Sequence, residues 1–265
     1  MKVAYTMNGL FGGFVDKNYL NDNSSDAELI MKYSYLELHK YILKNNDVDL
    51  FIFSWHDDMK TQIEDYMSPV KLELSKQIDF EPFEHLKSGD VSRVKAHISR
   101  WYGFQKVMNL VKEYEIENKF KYDLIVNARM DLCWKNPFDF STLDNSKFHI
   151  SECKNNKSWG WPNGNREIVD HILLSNSDVM SEYSNLYDKL HEYTSPNQCP
   201  QYNTISHHFL MVWHLEKMNL LNEETVLKTF NTVPNYDANS DISTNYDIFR
   251  YRKLTREQVK EKING

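Results

Sequence analysis

Asn127, Arg129 and Asp131 are the polar residues of this sequence whose types and spacing best suit chemistry. They follow the short apolar run Leu124–Val126, which is typical of a buried parallel strand. Polar groups at the carboxyl end of such a strand lie where open α/β sheets bind ligands. An arginine offers a fixed cation for phosphate and an aspartate a hard oxygen for a divalent metal, so the spacing favours a metal-bound diphosphate, as in a nucleotide sugar. A surface ion pair after a core strand is the structural alternative.

A glycine-bearing loop follows the first predicted strand. Residues 2–7 have a strand pattern, and Asn8–Phe14 contain Gly9, Gly12 and Gly13. Glycine lets the backbone approach a ligand closely, although an ordinary connecting loop fits the same pattern. The loop is not G-x-G-x-x-G and no P-loop lysine follows it, which argues against the classical dinucleotide and NTPase motifs.

Other polar clusters in the sequence have structural alternatives. Asp57–Asp58 follow the predicted strand Val48–Phe53 and are expected to cap the next helix. Trp159–Trp161 lie in a polar segment and are predicted to face the substrate as a lid. His207–His208 lack the i, i+4 spacing of a zinc protease helix, and neither Gly-x-Ser-x-Gly nor a Cys–His dyad supports hydrolysis.

The composition is that of an ordinary globular protein with an acidic balance. Of 265 residues, 41% are hydrophobic and 26% charged, and the net charge of −7 argues against a nucleic-acid partner. The three cysteines, Cys133, Cys153 and Cys199, contain no C-x-x-C and are interpreted as free thiols of a reducing cytosol.

The sequence predicts a cytoplasmic protein without a transmembrane segment. It shows no signal-peptide pattern, and no apolar stretch approaches the roughly 20 residues of a membrane span. A peripheral membrane contact is left open, since Arg250, Arg252, Lys253 and Arg256 form a basic cluster. A solvated surface is the favoured interpretation of that cluster.

Periodicity predicts an α/β fold in one domain, with a mostly parallel central sheet flanked by helices. Strands alternate with helices over the first half, and no linker, repeat or low-complexity tract interrupts the chain. The predicted strands are 2–7, 48–53, 69–74, 123–128, 147–151, 172–174 and 246–254. The predicted helices are 26–44, 58–67, 92–118, 177–192, 201–219 and 255–263.

The run from Ile98 to Trp134 resembles a group of bacterial and viral GT-A-type glycosyltransferases that build surface glycans such as capsule and lipopolysaccharide. Their pattern is a helix with an aromatic pair and a tyrosine–glutamate end, then a strand of the form Tyr-Asp-hydrophobic-hydrophobic-x-x-Arg-x-Asp-Leu. Trp101–Tyr102, Glu113–Glu115 and Tyr122–Leu132 carry that pattern here. A looser likeness continues through 170–176 and 201–220.

The resemblance implies a single GT-A-like (Rossmann-like) domain over 1–265, with a nucleotide-binding part at about 1–134 and an acceptor-side part at about 135–265. It implies a nucleoside-diphosphate-sugar donor, a glycan or lipid-linked acceptor and a divalent metal, Mn²⁺ or Mg²⁺. GT-A enzymes hold the metal with Asp-x-Asp. Here Asp131 is the expected ligand, and Arg129 stands where the first aspartate would be.

The loop after the first strand and the helix 92–118 are expected to help bind the nucleotide, and Asp170 is expected to project from the strand region that flanks the acceptor side. Arg129 and Asp170 are the candidate catalytic residues, with Asp170 as the base that an inverting enzyme needs and a retaining one does not. The residues expected to contact the donor are Thr6, Asn8, Gly9, Arg100, Asn127 and Arg129.

Two other functions fit the same residues. A nucleotidyl- or phosphotransferase acting on a sugar phosphate would also use Arg129 and Asp131, and a product assay separates it from a glycosyltransferase. A non-catalytic nucleotide-sugar-binding domain is the second, favoured by the departure from Asp-x-Asp.

Overall fold

The computed structural model describes most of the chain, in the ranges 1–12, 24–86, 91–153, 168–196, 198, 207–221, 225–232 and 245–265. Its strands are β1 (Lys2–Gly9), β2 (Asp47–Ser54), β3 (Lys71–Leu74), β4 (Leu124–Arg129), β5 (Leu132–Trp134), β6 (Phe148–Cys153), β7 (Ile168–Ser175), β8 (Val226–Thr232) and β9 (Tyr246–Ile248). Its helices are α1 (Ser24–Tyr41), α2 (Lys60–Met67), α3 (Val91–Asn118), α4 (Ser177–Tyr183), α5 (Leu186–Thr194), α6 (His207–Lys217) and α7 (Arg256–Asn264).

The central sheet is mixed but mostly parallel, in the order β3-β2-β1-β4-β7-β6-β8. Parallel pairing joins β1 to β2 and β4, β2 to β3, and β6 to β8. Only β7 runs against its described neighbours, β4 and β6. A small second sheet pairs β5 with β9. The predicted α/β fold with a mostly parallel, helix-flanked sheet is therefore confirmed.

Two hydrophobic cores cover the two faces of the sheet, because successive strand residues point to opposite sides. Val3, Tyr5 and Met7 of β1 pack with α1, α2, α7 and the small sheet. Ala4 of β1 and Ile125 of β4 pack with α3 to α6 on the other face. Burial on both faces explains why the strands are almost continuously apolar rather than alternating.

Helix α3 brings its buried face unusually close to β1. Its apolar residues at steps of three and four are buried as predicted, among them Val94, Trp101 and Met108. Gly103 lies at the contact, where an added Cβ would be 3.1 Å from Asn8 Nδ2 and 3.3 Å from Phe53 Cδ1. A glycine in a helix interior costs about 1 kcal/mol against alanine, and here it lets the helix approach β1.

Glu115, Tyr122 and Asp123 of the glycosyltransferase-like pattern make contacts at the edge of the sheet where β1, β2 and β4 begin. The buried Glu115 carboxylate accepts hydrogen bonds from the Tyr122 backbone N–H at 2.8 Å and from Ser177 Oγ at 2.8 Å. The Tyr122 hydroxyl donates to Asp49 at 2.6 Å, and Asp123 accepts from the Lys2 N–H at 2.7 Å. These contacts tie the end of α3 and the entry of β4 to β1 and β2, so they set the register of β4.

Several element boundaries differ from the prediction. The sequence predicted neither β5 nor β8, the first because it has three residues and the second because it begins where the apolar pattern weakens. The predicted helix 177–192 is two helices that meet at Ser184–Asn185. Only the first three residues of the predicted strand 246–254 are extended, and a 3₁₀ turn follows.

One structural expectation is wrong, and a second holds only in part. Met59 occupies the N-cap position of α2 without a side-chain hydrogen bond, so neither Asp57 nor Asp58 caps it. The basic cluster near the C-terminus is a solvated surface only in part, because Lys253 is exposed whereas Arg252 is 15% exposed and pairs with Asp247 and Glu37. Arg256 of the same cluster pairs with Asp26, which is 6% exposed.

Some predicted features lie outside the described residues. These are the Trp159–Trp161 segment, the side chains of His207–His208, Cys199 and the far half of the glycine-bearing loop. Among the described helices, none is both long and apolar enough to cross a membrane.

Burial of His214 predicts a loss of stability in acid. Burial lowers the pKa of His214 to about 4, while the unfolded chain keeps the ordinary value of 6.5. Between those values the unfolded state binds more protons, so stability is full above pH 6.5 and falls as the pH drops to about 4, by about 3 kcal/mol. Urea denaturation at several pH values measures this slope.

The matched variants for that slope are His214→Asn and His39→Asn. Asparagine at 214 keeps a partner for the Tyr193 hydroxyl, which lies 2.9 Å from His214 Nδ1. We expect the first variant to flatten the acid slope and the second, at an exposed position, to leave it unchanged. A residual slope is expected because burial also lowers the pKa of His56 and His149. Equal slopes in wild type and His214→Asn would contradict the assignment.

Candidate functional site

The candidate site lies at the point where the strand order of the sheet reverses. From β1 the chain continues to β2 and β3 on one side, and α3 then returns it to β4 on the other side of β1. Open α/β sheets bind ligands in the crevice beyond the carboxyl ends of the strands at such a point. Asn8 and Arg129, near the ends of β1 and β4, are paired across it.

The strand pattern places polar side chains on the α3 face of this edge. Along β1 the residues on that face are Ala4, Thr6 and Asn8, and along β4 they are Ile125, Asn127 and Arg129. Each strand therefore changes from apolar to polar toward its carboxyl end. Because successive side chains of a strand point to opposite faces, only the face toward α3 becomes polar.

A buried hydrogen-bond network joins these strand residues to Arg100 of α3. Arg100 Nη1 donates to Asn8 Oδ1 at 2.7 Å, and Nη2 donates to Asn127 Oδ1 at 3.1 Å. Asn127 Nδ2 donates to Thr6 Oγ1 at 2.9 Å and to Asn8 Oδ1 at 3.0 Å. Asn8 Nδ2 donates back to the Arg100 carbonyl at 3.2 Å. Connected side-chain networks of this kind hold their members in a single arrangement.

Two arginines and two aspartates form a charge cluster beside that network. Arg129 makes a two-pronged contact with Asp131, from Nε to Oδ1 at 2.8 Å and from Nη2 to Oδ2 at 3.0 Å. Asp170 Oδ2 lies 3.6 Å from Arg100 Nε and 3.7 Å from Arg129 Nη1. The cluster is formally neutral, and its side chains are between 6% and 21% exposed, with Arg129 the most exposed.

The guanidinium group of Arg100 is buried away from solvent. Burial is the largest influence and lowers its pKa, while the nearby Asp170 carboxylate opposes that shift and Arg129 adds to it. The guanidinium also lies 5.5 Å from the Trp101 ring centroid, a favourable cation–π position. An arginine stays charged even here, so the site keeps a fixed positive charge behind Arg129.

The structure thus brings together the residues predicted from the sequence. Thr6, Asn8, Arg100 and Asn127 share the network, and Arg129, Asp131 and Asp170 share the charge cluster. Gly9 is adjacent at the end of β1, with φ of +115° and its carbonyl accepting from Ser54 Oγ at 3.1 Å. Thr6 and Asn127 are fully buried, so in this arrangement they orient other side chains rather than present themselves to a ligand.

His56 is a residue of this edge whose role the sequence did not predict. Its Nε2 accepts a hydrogen bond from the Phe11 N–H at 3.2 Å, and its ring stacks on Phe11 at 5.7 Å. Burial lowers the pKa of His56, so the imidazole is neutral near pH 7. It therefore holds the start of the loop after β1. Its position just past β2 was the only signal that the sequence offered.

A divalent metal was predicted at Asp131, and the surrounding donors test whether one fits. Both oxygens of Asp131 accept from Arg129. A divalent ion there would lie close to the guanidinium, where the repulsion is several kcal/mol even at an effective dielectric constant of about 20. In the described parts of the chain, no group of three or more His, Cys, Asp or Glu could hold a metal. The described residues therefore do not fit a divalent ion at Asp131, and the metal stays a prediction.

Comparison with known proteins adds no further assignment. No family model and no curated protein matches the chain.

Proposed function

We propose that this chain is a GT-A-like glycosyltransferase that moves a sugar from a nucleoside-diphosphate sugar to a glycan or lipid-linked acceptor. The observation that carries the proposal is the position of Arg129. It ends the strand of the quoted sequence pattern, at the reversal of strand order, with Arg100 and Asp170 around it.

The chemistry of the transfer suits this cluster. Breaking the bond between sugar and phosphate builds negative charge on the departing diphosphate. Cationic donors that are already fixed in place stabilise such charge without reorganising during the reaction. Arg129 offers its planar fork at the edge, and Arg100 adds a second positive charge from behind.

Asp170 is our proposed base for the acceptor hydroxyl, if the reaction inverts the sugar. Its carboxylate is 12% exposed and comes from β7, which belongs to the part of the chain assigned to the acceptor. Because β7 is antiparallel to β4, the amino end of β7 reaches the same edge as Arg129. Donor and acceptor would then meet between β4 and β7.

Thermal denaturation in the presence of candidate donors tests this function. We expect one of UDP-, GDP- or dTDP-sugars to raise the melting temperature, because a ligand that binds only the native state stabilises it. Incubating the stabilising donor with glycan and lipid-linked acceptors should then release the free nucleotide. Release of pyrophosphate from a nucleoside triphosphate and a sugar phosphate, in a separate incubation, would instead indicate a nucleotidyltransferase.

A non-catalytic nucleotide-sugar-binding domain is the second candidate. The observation that favours it is the charge balance of the cluster, in which each carboxylate is engaged by a guanidinium group. Stabilisation by a donor without any release of nucleotide, across the acceptors tested, would decide for this candidate.

A further inference from the structure

The contact between Arg129 and Asp131 assigns Asp131 a role other than metal binding. We propose that Asp131 positions the Arg129 guanidinium, and that Arg129 and Arg100 hold the donor diphosphate without a divalent cation. This inference rests on the proposed function and deepens it.

Asp131 is buried and held by its neighbours. Its side chain is 6% exposed, and its carbonyl accepts a hydrogen bond from the Phe249 N–H at 2.8 Å. Strand β4 pairs with β1 and β7, and β5 pairs with β9, so Asp131 lies in the short connection between two strands that are each held in a sheet. A carboxylate held in this way can fix the orientation of a neighbouring side chain.

Asp131 orients the guanidinium group of Arg129. Nε and Nη2 of the guanidinium face Asp131, and Nη1 faces the carboxylate of Asp170. A guanidinium carries five N–H groups in one plane, so a two-pronged contact to a carboxylate is compatible with simultaneous contacts to phosphate oxygens. The contact therefore sets the plane of the fork at the ligand edge.

Two guanidinium groups lie close together in this cluster. Arg100 and Arg129 both approach Asp170, at 3.6 and 3.7 Å. A diphosphate bound at this edge would find two fixed cations within one cluster. Although Asp131 and Asp170 balance these charges in the free protein, the guanidinium groups can donate to the phosphate oxygens that a divalent ion contacts elsewhere.

Titration of free UDP, GDP and dTDP into the protein tests the inference. Each titration is done once in EDTA and once in Mn²⁺, by calorimetry. We expect one nucleotide to bind with the same affinity in both buffers. Binding only in Mn²⁺ would overturn this inference while leaving the proposed function intact, and binding of none of the three would overturn both.

Asp131→Asn tests the positioning role, with Asp178→Asn as the control. Asparagine loses the charge of the two-pronged contact, so we expect affinity to fall about tenfold by the same factor in EDTA and in Mn²⁺. Asp178 belongs to an exposed ion pair with Lys121, and its variant should bind normally. Normal binding by Asp131→Asn in EDTA would refute the positioning role, as would a loss confined to Mn²⁺. The affinities of the unmodified protein in EDTA and in Mn²⁺ show whether binding needs a divalent cation, even if Asp131→Asn does not fold.

Discussion

Replacing Arg100 by methionine should lower the free energy of unfolding by about 3–5 kcal/mol, the usual cost of removing one partner from a buried ion pair. Methionine keeps an unbranched apolar stem but supplies no donor. The side-chain oxygens of Asn8 and Asn127 would lose the hydrogen bonds from Arg100, and Asp170 would lose one of its two neighbouring cations. Urea denaturation followed by circular dichroism measures the change.

Lys106→Met is the matched control for that experiment, because Lys106 is on the same helix. Its ion pair with Glu73 is partly exposed, so we expect the control to cost less than about 1 kcal/mol. A loss below about 1 kcal/mol for Arg100→Met would mean that the network does not hold α3 to the strands. The double variant with Asp170→Asn should recover part of the loss, because it removes the carboxylate that Arg100 neutralised.

Replacing Arg129 by methionine should lower kcat/KM for sugar transfer by about 10²–10³-fold, the range found when one group that stabilises transition-state charge is removed. The charge on the departing diphosphate grows as the bond breaks, so we expect the larger change in kcat rather than in KM. Initial rates of nucleotide release, with the donor that stabilises the protein, measure both constants.

Two further variants make the Arg129 result specific. Arg129→Lys keeps a point charge without the planar fork and should recover only part of the activity. Lys121→Met removes an exposed cation whose partner is Asp178, and it should be as active as the unmodified protein. A melting temperature for each variant separates lost chemistry from lost folding. An Arg129→Met enzyme that folds and turns over normally would remove the main support for the proposed reaction.

The sequence predicted the residues of the site better than it predicted their contacts. The apolar run before Asn127 fixed β4, and the polar ends of β1 and β4 followed from their position on parallel strands. A surface ion pair of Arg129 and Asp131 was the structural alternative, but the burial of Asp131 was not predictable, because its carbonyl accepts from the Phe249 N–H, more than 100 residues away along the chain. Local sequence contains no record of such contacts.

Strand direction is a second property that the sequence did not reveal. A buried strand is apolar whether it runs parallel or antiparallel to its neighbours, so the pattern of β7 predicted a strand without its direction. The direction matters for the site, since it brings Asp170 at the amino end of β7 to the edge where β4 ends. The short strand β5 escaped prediction because three residues carry too little periodicity.

The ion pair between Asp26 and Arg256 has a consequence for how the chain is made. It joins residues 230 positions apart, so it forms only after the ribosome has translated every strand of the sheet. The order of synthesis lets β1, β2 and β4 assemble around Asn8 and Asn127 well before α7 exists. A nascent chain halted after β7 would then contain the whole charge cluster but would leave the α1 face uncovered. The part of this apolar surface that packs against Val259 of α7 would stay uncovered until the end of α7 has been made.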